Sequence, residues 1–292
     1  MFAELQSFIL GSFSNNGSSI LEEILSHKFP EWEEEAVSNM LFMDSPIYIV
    51  TLSMLYLAFV TTVGPKIMKH RKPFSLKWTM MAYNLGQVAL NAWFLISFFS
   101  EEGMTEHLLK ETFQPVIPAR SKRLRLISLR YIWIWWLIKV SDLADTVIFV
   151  LRKKQTHVSF LHVYHHFNMS FFCWLYFKYI RGEWLIFAGL INSLVHIIMY
   201  SYYFLAALGP KLQPYLWWKK YLTRMQLVQF MIIFSVHVYL AIFQNVPTLQ
   251  RLFLYFAISQ TIIFTILFTN FYIKAYKRPS SKTQTGVKVK SN

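Results

Sequence analysis

Three imidazoles fall within five residues in His162-Val-Tyr-His165-His166, a spacing that stacks them on one face of a helix at i, i+3 and i+4. Two other stretches repeat the pattern with different polar groups. Lys139, Asp142, Asp145 and Thr146 lie at about 0°, 300°, 240° and 340° on a helical wheel, an arc of about 120°. Asn192, His196, Met199, Tyr200 and Tyr203 form a stripe, and so do Thr223, Gln226 and Gln229. Imidazoles flanked by carboxylates and an amine can attack a carbonyl, move a proton or ligate a metal.

The elements carrying these residues are apolar runs. Residues 46–63, 76–99, 127–150, 158–180, 184–208, 221–243 and 247–276 are each long enough for a helix to cross the roughly 30 Å of a bilayer core. The 292-residue chain is 55% hydrophobic, 18% aromatic and 15% charged, with a mean hydropathy of +0.35. Soluble domains are nearer about 25% charged, so a water-soluble fold is excluded. Residues 1–45 are acidic and read as a short segment lying near the membrane surface, 46–276 as a seven-span domain, and 277–292 as a polar, disordered tail.

Charge sets the expected orientation. Residues assigned to the odd loops and the tail supply seventeen Lys and Arg and no acid, whereas the N-terminal segment and the even loops supply nine bases and thirteen acids. The basic side is normally cytosolic, so the N-terminus is expected in the lumen and the C-terminus in the cytosol. Asn16-Gly17-Ser18 is a glycosylation sequon on the expected lumenal side. The net charge of +14 is thus read as topology, with the bilayer as partner and nucleic acid excluded. One cysteine, Cys173, permits no intrachain disulfide.

Depth brings the polar rows together. Counted inward from the cytosolic span ends, Asp142, Asp145, His165, His196, Gln226 and Gln229 all lie roughly 8–18 Å below that face. Polar groups are costly in hydrocarbon, and four helices placing them at one level mark a site. Taken singly, His237 reads as a packing residue, Lys139 with Asp142 as a structural ion pair, and the Thr and Gln of the sixth run as interhelical hydrogen bonders. The triple-histidine box resists that explanation.

Two chemistries fit. Histidine boxes occur in membrane di-iron desaturases and hydroxylases, but those centres draw on several boxes, and this chain has one. A single zinc needs fewer ligands. The second chemistry is acyl transfer, with an imidazole as nucleophile or base. A condensing enzyme using the Cys173 thiol and a seven-span receptor or transporter complete the readings that the residues leave open.

From about Asp44 to Tyr276 the chain resembles the elongases of very-long-chain fatty acids, membrane 3-ketoacyl-CoA synthases of the endoplasmic reticulum. The resemblance rests on Gly64-Pro65-Lys66, Arg71-Lys72-Pro73-Phe74, the run from Lys139 through Asp142 and Asp145 to Thr146, and the box from His162 to His166. It continues through Asn192, His196, Met199, Tyr200, Tyr202 and Tyr203, and ends on Thr223, Gln226, Gln229 and Phe230. The family usually carries Glu where Asp142 stands.

The resemblance implies an all-α membrane protein of seven transmembrane helices, six in a ring around a narrow acyl tunnel and the first packed outside. It implies a decarboxylative condensation of a long-chain acyl-CoA with malonyl-CoA, giving 3-ketoacyl-CoA, CoA and CO2. His165 would form an acyl-imidazole intermediate and His196 would stabilise the enolate. Asp142 and Asp145 would orient His162 and His166. Coenzyme A contacts fall to Arg152, Lys154, Lys219 and Lys274 at the cytosolic mouth and to Lys139, Tyr202, Thr223 and Gln226 below it. No cofactor is bound permanently and no metal is required. Further implied partners are the reductase and dehydratase enzymes of the elongation cycle, and a homo- or hetero-oligomer. Lys288-Val-Lys290-Ser-Asn292 has the form of an endoplasmic-reticulum retrieval signal.

Overall fold

Long apolar runs fold as helices in hydrocarbon because a helix satisfies every backbone N–H and C=O within its own segment, and turn residues punctuate the runs. The computed structural model describes residues 28–113 and 121–276, and these contain helices and no strand. Asn16, Arg120 and residues 277–292, with the expected tail and retrieval signal, lie outside the described residues.

The helices are α1 (Glu31–Ser38), α2 (Ile47–Ala58), α3 (Gly64–Met68), α4 (Lys77–Ser100), α5 (Met104–Phe113), α6 (Lys122–Ser141), α7 (Leu143–Leu151), α8 (Phe160–Tyr179), α9 (Trp184–Leu208), α10 (Lys219–Phe243) and α11 (Thr248–Tyr276). A π-helical turn, Phe59–Val63, joins α2 to α3. Four stretches are long and apolar enough to cross a membrane by length and composition: Ile47–Met68, Trp184–Leu208, Lys219–Phe243 and Thr248–Tyr276. Helices also stand at the other three expected spans, but they bury Asn84, Gln87 and Asn91 on α4, Lys139 and Asp145 on α6 and α7, and His166 and Asn168 on α8. That polar load lowers their hydropathy.

The surface is inverted relative to a water-soluble fold. Trp78, Ile96, Met54, Leu55, Ile242, Phe243 and Ile266 are exposed, while Lys139, Asp142 and Asn91 are buried. Apolar side chains facing outward and paired polar groups facing inward suit a lipid solvent. The chain forms a membrane protein with several apolar helices.

α4 packs along α9, α9 on α10, α10 on α11, α11 on α8, α8 on α6 and α6 on α4. The continuous α2–α3 segment packs on α8 and α7. Its close approach needs Gly64, where an added Cβ would stand 2.7 Å from Val150 Cγ1 and 2.8 Å from the Phe59 carbonyl oxygen.

The expected third span is not one helix. It breaks at Asp142, whose ψ is −19°, and the Asp145 N–H bonds the Asp142 carbonyl at 3.2 Å in a 3₁₀ manner. Side chains at i and i+3 eclipse in such a turn, so Asp142 and Asp145 share a side more closely than a continuous α-helix allows. α7 then stops in a left-handed cap at Lys153, φ 54°, with the Lys154 N–H returning to the Phe149 carbonyl at 2.9 Å.

Loops sort to the two ends as the charge pattern groups them. At one end Lys153 Nζ donates to the Lys69 carbonyl at 3.2 Å and Lys77 Nζ to the Leu208 carbonyl at 3.5 Å, joining the first, third and fifth connections. At the other end α1 is clasped to the even connections. Arg125 bonds Glu33 and Glu183, each at 2.8 Å, while Arg181 and Lys178 bond Glu34 at 2.5 and 3.1 Å. His107 Nε2 lies 3.4 Å from Glu183, and Ser128 donates to the same carboxylate.

Candidate active site

The histidine box begins in the first turn of α8. Ser159 caps that helix by accepting from the His162 N–H at 3.3 Å, so His162 lies in the first turn and His165 one turn deeper. The ring centres of His162 and His166 are 4.2 Å apart and those of His165 and His166 5.5 Å. Phe264 and Phe268 of α11 flank His165 at 5.1 and 6.0 Å. His166 is buried, whereas His162 and His165 are partly open.

Across from the box, α6, α7 and α9 build a charged cluster. Lys139 Nζ donates to Asp142 Oδ2 at 2.8 Å and to Asn192 Oδ1 at 3.0 Å, and it faces His196 Nδ1 at 3.2 Å. Lysine offers only donors, so this contact requires the lone pair of His196 at Nδ1 and puts the ring proton on Nε2. Tyr200 Oη lies 3.1 Å from Asp142 and 2.7 Å from Asp145, bridging the two carboxylates. A second layer supports them. The ring of Tyr83 meets that of Tyr200 at 5.9 Å, Tyr56 Oη meets Thr146 Oγ1 at 2.8 Å, and Gln87 Nε2 donates to Ser141 Oγ at 2.7 Å.

This arrangement differs from the expectation that Asp142 and Asp145 orient His162 and His166. The carboxylates engage Lys139 and Tyr200, Asp142 approaches His196 at 3.6 Å, and His162 Nε2 has no hydrogen-bond partner. The 3₁₀ turn at Asp142 is the reason, because it faces both carboxylates to the Tyr200 side of α9. His165, His166, His196 and Lys139 nonetheless lie close enough to interact electrostatically.

A cavity of about 130 Å³ extends from His165 between α6, α8, α9, α10 and α11. Phe172, Cys173, Ala188, Ile233, Phe253 and Phe256 give it an apolar wall, Asn192 and Gln229 lie at its head, and Trp184 and Tyr176 lie on its distal part. Along α8 its lining runs from His165 to Tyr176, roughly 16 Å of helix. Cys173 is buried in that wall.

The expected coenzyme A residues divide. Arg152, Lys154 and Lys219, from two connections, act together on the exposed His157; partial desolvation and these three cations hold its imidazole below the usual range. Tyr202 stacks edge-on against Trp218, Thr223 lies near Tyr276, and Gln226 reaches Met199 Sδ at 3.5 Å. Lys274 is exposed near the end of α11.

Sequence reasoning passed over Gln260. It accepts from Tyr164 Oη at 2.5 Å and from Asn168 Nδ2 at 2.9 Å, bracing the residues beside His165. A lone Gln in the apolar run 247–276 was the available signal. Tyr83 and Gln87 stood likewise in the run 76–99.

Among the described residues no group of three or more His, Cys, Asp or Glu is placed to hold a metal ion. The family model described as ELO: GNS1/SUR4 family matches residues 41–284. Very long chain fatty acid elongase 4 of Macaca mulatta is 38% identical over 279 residues, which cover 94% of this chain and 86% of that one. Elongase 7 of Drosophila melanogaster is 37% identical over 246 residues, 84% of this chain and 74% of that one. Elongase 1 of Homo sapiens is 35% identical over 284 residues, 94% and 98% of the two chains.

Proposed function

Because the chain belongs to the ELO, GNS1/SUR4, family, in which its relatives are very long chain fatty acid elongases, we propose that it condenses a long-chain acyl-CoA with malonyl-CoA. The observation that carries this reading is the position of His165, at the head of an apolar cavity and opposite the Lys139–His196–Asp142 cluster. The chain of helix contacts from α4 through α9, α10, α11, α8 and α6 supports the reading of six helices in a ring around an acyl tunnel, with α2 outside.

In the first step a neutral nitrogen of His165 attacks the thioester carbonyl. The C–N bond forms, the C–S bond breaks, and CoA leaves as thiolate. In the second step malonyl-CoA loses CO2, and the electron pair released forms an enolate. The enolate carbon attacks the acyl carbonyl and expels imidazole, giving 3-ketoacyl-CoA. The Nε2–H of His196, its tautomer fixed by Lys139, is suited to donate to the enolate oxygen. Arg152, Lys154 and Lys219 offer charge to the phosphates of coenzyme A. The basic end then faces the cytosol, where both substrates are found, and the endoplasmic-reticulum membrane is the proposed location. The 3-keto product calls for reductase and dehydratase partners.

The test is direct. Purified protein given acyl-CoA and malonyl-CoA should release CoA and CO2 and make a ketoacyl product two carbons longer. With acyl-CoA alone, intact-mass and peptide mapping should find the acyl group on His165. Full activity in His165→Ala would refute the assignment, and stoichiometric iron with oxygen-dependent turnover would favour the desaturase reading.

A further inference from the structure

Lys139 does more than pair with Asp142. Its ammonium offers only hydrogens, so both atoms it meets on α9 act as acceptors, Asn192 Oδ1 at 3.0 Å and His196 Nδ1 at 3.2 Å. Two orientations are fixed at once. The Asn192 amide turns its oxygen to Lys139 and its NH2 group away, as the His196 ring turns its Nε2–H away. The two residues are four apart, so their donors share one face of α9, about 6 Å apart along its axis.

The amide NH2 is unclaimed. Asn192 is 5% exposed, yet among the described residues no protein acceptor takes its Nδ2 hydrogens. Nor is Nδ2 sealed inside the protein, as the unpartnered Gln229 Oε1 and Trp135 Nε1 are. Asn192 lines the cavity that His165 heads, and Lys139 lies close enough to His165 to act on it electrostatically. The neighbouring Asn168 amide is committed differently, donating to Gln260 at 2.9 Å. A donor held in fixed orientation in a dry cavity is what acyl transfer requires where charge develops on oxygen.

We propose that Asn192 is a further catalytic residue, whose Nδ2–H donates to the oxygen of the acyl carbonyl that His165 attacks. The inference rests on the elongase reading for its chemistry. When the His165 nitrogen bonds the carbonyl carbon, the C=O electron pair moves onto oxygen and Asn192 holds that charge. The pair returns as the C–S bond breaks and CoA leaves as thiolate. The same donor serves again when the enolate carbon attacks and imidazole leaves; the amide keeps its protons throughout. The order along α9 suits two oxygens. His196, nearer the basic end, meets the enolate of the incoming malonyl-CoA, and Asn192, one turn farther in, meets the acyl carbonyl whose chain fills the cavity.

Asn192→Asp is the informative variant, because it keeps an oxygen on Lys139 and replaces the NH2 group by a second oxygen. In full-length protein in detergent, single-turnover acylation of His165 by octadecanoyl-CoA should slow about 10²–10³-fold. Binding of octadecanoyl-CoA should change little, and the thermal midpoint should not fall. A second measurement uses octadecanoyl-CoA labelled with carbon-13 at the carbonyl, bound to His165→Ala, which cannot be acylated. The infrared carbonyl stretch should lie below that of the free thioester, and adding Asn192→Asp should return it to the free value. Acylation by Asn192→Asp within about tenfold of the unaltered rate overturns the proposal. So does a rate loss matched by lost binding or a lower midpoint, or a carbonyl stretch indifferent to Asn192. Should the unaltered protein form no acyl-His165 while the labelled carbonyl still responds to Asn192, the reaction reading fails and the Asn192 contact stands.

Discussion

Removing the amine of Lys139 tests the charged cluster most sharply. Lys139 is 1% and Asp142 3% exposed, and their 2.8 Å contact is one of three polar contacts the ammonium makes. Lys139→Met keeps most of the side chain's length but leaves the Asp142 carboxylate without its cation. Breaking a buried pair from one side costs about 3–5 kcal/mol. Asp142 keeps the Tyr200 hydroxyl at 3.1 Å, which places the expected cost near the lower end, about 3 kcal/mol. At roughly 2–4 °C per kcal/mol, the apparent thermal midpoint should fall by about 6–12 °C. Lys139→Met with Asp142→Leu removes both charges, and replacing a buried pair by apolar groups is near neutral or stabilising, so the double variant should regain most of the loss. Condensation should not return, because His196 has lost the donor that fixes its tautomer; kcat should stay down by about 10²–10⁴. Heating in detergent followed by size-exclusion of the surviving protein gives the midpoints, and ketoacyl-CoA formation gives the rates. A single variant within 2 °C of the unaltered protein, or a double variant no more stable than the single, would refute the pairing on which this reasoning depends.

Gly64→Ala should destabilise by about 1–3 kcal/mol, because its Cβ would meet Val150 and the Phe59 carbonyl oxygen within 3 Å; the same thermal assay checks it. Arg152→Gln and Lys219→Gln should raise KM for acyl-CoA several-fold with little change in kcat, and an effect confined to kcat would argue against phosphate contacts. The clasp around α1 should be acid-labile. Burial alone would raise Glu183, but His107, Arg125 and Ser128 together hold it below the ordinary carboxylate range; burial likewise opposes, and Arg181 and Lys178 prevail over it, at Glu34. A depressed carboxylate contributes its stability in full above the unfolded value of about 4.3 and loses it as pH falls through the lower folded value. Midpoints should therefore hold steady between pH 7 and 5 and drop below about pH 4. Glu183→Gln should flatten that drop, and an unchanged acid limb would remove the clasp as its cause.

Sequence alone determined the solvent of this protein, the grouping of its loops by charge and the polar rows of its interior. These properties depend on local composition and on the helical period, which any helix of that sequence carries with it. The stacking of His162, His165 and His166 follows from the i, i+3 and i+4 spacing, whatever packs against it. Which partner each polar group takes depended on the neighbours brought by packing. A wheel of 100° per residue presumes an unbroken helix, so it missed the turn at Asp142 that faces both aspartates to Tyr200. The same holds for Gln260, isolated in its run yet set against Tyr164 and Asn168. His237 reads as packing on a wheel, and only the convergence of five helices on one cavity shows that it lines that space. Periodicity fixes the direction in which a side chain leaves its own helix; what it meets there is set by residues distant in the chain.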